Sequence, residues 1–382
     1  MKFRLLCALG AILALSYSCK NSQSTNSLQF TLDIYSPSYA TGFEILGSEN
    51  SESSLLRITR PWQGESVECF ELLILRGKEL APADFKGTVI HGDAKRIVAL
   101  SSSNVAMFDR IGVVDRVVGV SGLDYISSKR VKERGDNGEV KDVGYDTNLN
   151  YELLTMLKPD IVLLYSVAGA NNSVTSKLDE LDIPYVYIGD YAEESPLGKA
   201  EWMVAMGEIC GMRESATTLF NHSATRYNEL CCLVEGVEQR PKCMLNTPYR
   251  DVWYMPSSRS YMVQILEDAG AEYIYNGNNS QGTKPISVEE AYKLATNAEI
   301  WLNTGATINS LGDLRSQVPK FMDMPMVKSG MVYNNTARCT AMGGSDFWES
   351  GVVHPDVVLK DLIEIFHPEL LEHELYYYKK LE

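Results

Sequence analysis

From Arg96 onward the sequence keeps switching between two hydrophobic periods, and that alternation limits what the chain can become. Ile97-Val98-Ala99-Leu100 is a short run with no polar face, the mark of a buried strand. The turn Ser101-Ser102-Ser103 follows, then a helical pattern from Asn104 to Ile111 that stops at Gly112. Val117 to Val120, Ile161 to Leu164 and Tyr185 to Ile188 repeat the strand pattern, separated by helical stretches at Leu153–Leu157 and Val174–Leu181. Strands that alternate with helices imply a mostly parallel sheet, with helices covering both faces. The same alternation resumes after Pro241. It gives strands at Met244-Leu245, Tyr273–Tyr275, Ile300–Asn303 and Val332–Asn334, and helices at Met262–Ala269, Val288–Ala295 and Pro355–Phe366.

Between the two series lies a helical stretch. Lys199 to Cys210 is helical and stops near Gly211; Glu214 to about Leu233 continues, with Ala216, Leu219, Phe220, Ala224, Tyr227 and Leu230 on one side. The expectation is two α/β lobes joined by one rigid helical rod that resists bending. Ahead of them, Phe30, Leu32 and Ile34 alternate with polar residues, and Leu55, Ile58 and Phe70–Leu75 add further strand candidates. The expected division is 1–18 leader, 19–27 tether, 28–93 β-rich extension, 94–198 first lobe, 199–238 connecting helical region and 239–382 second lobe.

Lys2 and Arg4 precede the apolar run Leu5–Leu15, which is too short to span a bilayer. Ser16 and Ser18 flank Tyr17, and Cys19 follows, as in a bacterial lipoprotein signal whose cysteine becomes the lipidated first residue. Ordinary secretory cleavage, with Cys19 incidental, is the alternative. Both place the protein outside the cytoplasm, and the first makes it a membrane-anchored lipoprotein. Lys20–Ser27 is polar and reads as a tether. An exported compartment permits disulfides among Cys69, Cys210, Cys231, Cys232, Cys243 and Cys339, with the pairing open. The net charge of -15 disfavours nucleic-acid binding.

The passage Asn150-Tyr151-Glu152-Leu153-Leu154, running into Leu157-Lys158-Pro159-Asp160-Ile161-Val162, carries a family likeness. So do Arg96–Ser101, Val117–Val120, Gln264–Ala271 and Ile286–Glu290. In that order the segments resemble the periplasmic binding proteins for iron-siderophores, haem and cobalamin that serve ABC importers. The likeness runs from about Arg96 to His367 and omits the extension. It implies an α/β fold of two Rossmann-like lobes joined by a long helix, the class III periplasmic-binding-protein fold. It also implies that Glu152 and Glu289, one per lobe, dock on arginines of the permease subunits. Each glutamate also suits its helix N-terminus electrostatically.

A ligand is expected between the lobes, where strand ends and loops meet. The first lobe offers Ser102, Ser103, Tyr125 and Tyr145. The second offers Tyr249, Arg250, Trp253, Tyr254, Lys284, Arg338, Phe347 and Trp348. Aromatic faces suit large planar or catecholate ligands, and an arginine can pair with their carboxylates. Many members of the siderophore branch carry a basic residue in the late loop. Here Gly343–Glu349 has no arginine after Trp348, which leaves anion binding to Arg250, Arg259 or Arg338. Met255, Met262 and Met342 lie near the same loops as haem-ligand candidates, though packing is the commoner use of methionine. The expected ligand is an iron complex, siderophore or haem, with cobalamin or another corrinoid as the alternative.

An enzyme on the same scaffold is the competing class. The chain has no G-x-G-x-x-G after the first strand, no phosphate-binding P-loop and no G-x-S-x-G elbow. His91, His222, His354, His367 and His373 are scattered without metal-ligand spacing. No catalysis, resident metal or cofactor is expected.

Overall fold

The computed structural model describes residues 29–64, 68–280 and 282–382. The leader, Cys19 and the whole tether lie outside the described residues.

Five short strands build the first lobe's sheet. Their spatial order is Tyr185–Tyr187, Ile161–Leu164, Ile97–Ala99, Val117–Val120 and Lys141–Asp142, and every pair is parallel. The central strands are buried on both faces, as their unbroken apolar runs require. The second lobe has the order Glu272–Tyr273, Lys242–Leu245, Ile300–Leu302, Val332–Asn334 and Lys379–Lys380. Only the last pair is antiparallel. Each sheet reverses its winding beside its first strand, and such a reversal opens a crevice at the strands' carboxyl ends.

The residues ahead of Arg96 make a third sheet. Strands Leu32–Tyr35, Phe43–Gly47, Ser54–Ile58 and Phe70–Leu75 pair antiparallel in sequence order, and Thr88–His91 pairs parallel with the fourth. This sheet is not a loose appendage. Phe43, Ile45, Leu56, Ile58, Leu72 and Ile74 belong to the same continuous core as both lobes. Trp62 and Phe70 pack edge-on and tilted against Tyr187 of the first lobe's edge strand.

The connection between the lobes differs from the expected single rod. Helix Pro196–Ile209 and helix Arg213–Val234 lie side by side, with a turn at Cys210–Met212 between them. All 14 residues of the first are buried, so it is a core element rather than an exposed strut. Its apolar residues run all the way round, which leaves burial as the stable outcome. It starts at Ser195, whose side chain accepts the Gly198 N–H, with Pro196 in the first turn. The turn needs Gly211: its φ is +68°, and a Cβ there would meet the Asp93 carboxylate at 2.3 Å. The second helix buries Ala216, Phe220, Ala224, Tyr227, Leu230 and Val234 along one stripe, against the first helix and against Pro355–Phe366.

Three glutamates on or just ahead of the buried helix fasten the extension. Glu201, fully buried, accepts the Tyr35 hydroxyl and the backbone N–H groups of Ser38, Tyr39 and Ala40 at 2.7–2.8 Å. Glu208 takes Arg76 at 2.8 Å and Arg213 at 2.9 Å. Glu193, just before the buried helix, accepts the N–H groups of Thr41 and Gly42 and the Trp202 indole.

Candidate ligand-binding site

A cavity of about 430 Å³ lies where the two lobes, the extension and the buried helix meet. Parallel strands deliver its walls. Val167 follows strand Ile161–Leu164, Tyr191 follows Tyr185–Tyr187, and Asn246 follows Lys242–Leu245. Asn246 adopts a φ of +64° and donates its N–H to Leu302 at the second lobe's reversal point. The far wall is Pro256, Ser257 and the start of helix Tyr261–Asp268, with Trp348 beside it. Gln63 brings the extension into the lining and donates its N–H to the Val167 carbonyl.

The site combines flat faces with charge. Trp348 is 44% exposed and inclines toward Tyr261, with ring centroids 6.3 Å apart. The Tyr261 hydroxyl is buried and makes no hydrogen bond among the described residues, and burial raises its pKa. Arg259 stands at the mouth, paired with Glu194 at 2.8 Å. Lys199 projects from the first turn of the buried helix. Its ammonium lies 5.4 Å from the Tyr191 ring centroid and 5.6 Å from that of Tyr261.

Of the residues singled out from sequence, Trp348, Arg259 and Met262 line the cavity. The others are placed elsewhere, each for an identifiable reason. Trp253 is fully buried, stacked on Trp301 and packed on Phe321, with its indole N–H donated to the Leu245 carbonyl. It belongs to strand Val252–Pro256, which pairs with Thr283–Ser287. Alternation along that strand turns Trp253 and Met255 inward and Tyr254 outward. Phe347 is enclosed by Trp348, Tyr377 and Tyr378. Ser103 is buried against Ser101, and Ser102 begins the adjoining helix outside the cavity. Arg338 is neutralised by Asp346 at 2.7 Å and lies over Tyr376. Lys284 donates to the Gly277 carbonyl. Tyr249 is exposed with Arg250 over its ring, and Met342 is exposed on the late loop.

Tyr125 lies at a contact between the lobes and Tyr145 packs within its own lobe, both outside the cavity lining. A Cβ at Gly344 would fall 1.9 Å from the Tyr125 carbonyl oxygen, so the late loop sits directly on the Tyr125 turn. Tyr145 packs against Gly122 at the base of that turn. Glu349 fixes this contact by accepting the N–H groups of Ser127 and Ser128. Tyr191, Lys199 and Tyr261 escaped the sequence reading. Lys199 was legible as a charge inside an apolar helical run, at the helix end where a cation is disfavoured.

Glu152 and Glu289 occupy matching places. Each is the second residue of its helix, Tyr151–Leu157 or Val288–Ala295. Asn150 caps the first by accepting the Leu153 N–H, and Ser287 caps the second by accepting the Glu290 N–H. Both carboxylates are exposed, and neither makes an ion pair with a described residue. No group of three His, Cys, Asp or Glu able to hold a metal occurs among the described residues, and the six described cysteines are unpaired. No described helix is long and apolar enough to cross a membrane.

Known proteins resemble this chain in sequence or in fold. An uncharacterized lipoprotein of Methanocaldococcus jannaschii is 26% identical over 302 residues, covering 76% of this chain and 69% of its own. An uncharacterized ABC transporter substrate-binding lipoprotein of Bacillus subtilis is 32% identical over 138 residues, 36% of this chain and 41% of its own. The crystal structure of a periplasmic heme binding protein from Pseudomonas aeruginosa superposes with a TM-score of 0.59 at 17% identity, over 76% of this chain and 98% of that one. The likeness to the solved structure is one of fold: two Rossmann-like lobes of class III type. The family model for periplasmic binding protein matches residues 97–338, the first lobe, the helices after it and most of the second lobe, and the chain belongs to that family.

Proposed function

We propose that this protein is the substrate-binding lipoprotein of an ABC importer, that it captures an iron complex between its lobes, and that it delivers that complex to the membrane permease. The observation that carries the reading is the interlobe cavity, with Tyr191, Tyr261 and Trp348 offering ring faces and Lys199 and Arg259 offering positive charge. Its volume of about 430 Å³ suits a compact complex better than a corrinoid with a nucleotide arm. The Bacillus subtilis relative named as a transporter component and the Pseudomonas aeruginosa heme binding protein support the same reading. Exposed Glu152 and Glu289, one on each lobe, serve as the permease contacts, since paired charges guide encounter and set register. Anchoring is by lipid on Cys19, which holds the protein at the outer side of the cytoplasmic membrane or in the periplasm.

The test is a visible-absorption titration of the intact protein with haemin, ferric siderophores and cobalamins. The expected result is a saturable spectral change with an iron complex at micromolar concentration or below. Saturable binding of a cobalamin without any iron complex would replace the ligand class.

A further inference from the structure

Lys199 is where the structure spends charge for no evident structural return. The residue is 8% exposed, yet its ammonium makes no hydrogen bond or ion pair with any described residue. The carboxylates acting on it are those of Asp190 and Glu193. Glu193 is already occupied by the N–H groups of Thr41 and Gly42 and by the Trp202 indole. Burial lowers the Lys199 pKa, the sign that desolvation outweighs these two attractions. The helix position compounds the cost, because Lys199 lies in the first turn of Pro196–Ile209, where the peptide dipoles repel a cation. A methionine of similar length would fill the space without these penalties.

What the position does offer is access. The side chain reaches the cavity wall between the rings of Tyr191 and Tyr261, which hold the ammonium by cation–π attraction while leaving its N–H donors unused. Arg259, the other cation of the lining, is committed to Glu194. We infer that Lys199 is the ligand-selecting charge of the cavity, and that the natural ligand presents a carboxylate to it while its flat body lies against Tyr261 and Trp348. This rests on the cavity being the ligand site, as proposed above. A charged pair formed at a buried ammonium discriminates, because an uncharged ligand leaves the ammonium unsatisfied.

Haemin and its dimethyl ester test this, since they share iron and ring and differ only in the two carboxylates. Ferric citrate adds a second carboxylate-bearing complex, and an uncharged cyclic ferric trihydroxamate adds a complex without one. Each is titrated into the intact protein by absorbance and tryptophan quenching, for the wild type and for Lys199→Met, with thermal unfolding as a check on folding. The expected result is at least about tenfold tighter binding of a carboxylate-bearing complex by the wild type. Lys199→Met should abolish that preference, bind the ester at least as tightly as the wild type does, and unfold at the same or higher temperature. Equal wild-type affinity for haemin and ester overturns the inference and requires no variant. Persistence of the preference in Lys199→Met does so too. Binding of the trihydroxamate alone overturns the role of Lys199 but leaves the iron-complex reading intact. Binding of no iron complex overturns both.

Discussion

The Glu349 carboxylate accepts the backbone N–H of Ser128 at 2.7 Å, across the boundary between the second lobe and the first. Its other oxygen accepts the Ser127 N–H at 2.6 Å, so one side chain ties two lobes that share few covalent connections. Burial raises the Glu349 pKa to about 7, against these two bonds, and Asp346 and Asp109 push in the same direction. Arg110 and His354 also line the small cavity beside it. An unfolded glutamate titrates near 4.5. Between these values the folded chain holds a proton that the unfolded chain has lost. Stability contributed by this group is therefore complete below about pH 4.5 and is lost as pH rises through about 7, by roughly 3 kcal/mol. Glu349→Gln should remove that dependence. The melting temperature of Glu349→Gln is expected to rise relative to that of the wild type from pH 4.5 to 7, then level off; a constant difference would show that the carboxyl does not titrate there.

Glu201 gathers four hydrogen bonds from the extension onto the buried helix. Glu201→Ala leaves the N–H groups of Ser38, Tyr39 and Ala40 without their acceptor. The expected loss is about 3 kcal/mol of stability, with faster proteolysis of the segment before Arg96. Urea unfolding and limited proteolysis measure both. A variant as resistant as wild type would mean that the apolar contacts and the Glu193 and Glu208 bonds hold the extension without Glu201.

Trp348 and Trp253 separate binding from stability. Trp348→Ala removes a cavity face and should weaken the iron complex by about tenfold with little change in unfolding temperature. Trp253→Ala opens a hole beside Trp301 and Phe321 and should cost about 3–5 kcal/mol. Calorimetry on both variants, with ligand titration of the folded fraction, distinguishes the two roles. An unchanged dissociation constant in Trp348→Ala would move the site elsewhere.

Replacing Glu152 and Glu289 together with Ala should leave ligand affinity as it is and abolish transporter-coupled uptake. Both side chains are exposed and remote from the cavity lining, so the fold has no need of them beyond a small contribution to each helix end. Uptake of labelled ligand in cells carrying the double variant is the measurement. Wild-type uptake would falsify the docking role.

Cys19→Ser should release the protein from the membrane fraction into the soluble one. Fractionation of cells followed by detergent phase partitioning reads this directly. Retention in the membrane would mean that something other than a lipid on Cys19 holds it.

The alternation of buried strands and helices was written in local sequence. Val117–Val120, Val332–Asn334 and Pro355–Phe366 come out at the residues their patterns mark, because the apolar period, and at the last a proline in the first helical turn, act over a few neighbours. Local chemistry also placed Glu152 and Glu289 at their helix starts, where Asn150 and Ser287 supply the caps. What only the tertiary structure decided was which side chains share the cavity. Trp253 and Trp348 look alike in sequence, yet strand pairing between residues far apart buries one and leaves the other on the cavity wall. The all-round apolar pattern of Pro196–Ile209 marks that helix for burial, but that Lys199 meets Tyr191 and Tyr261 depends on long-range packing between the lobes, which no local pattern encodes.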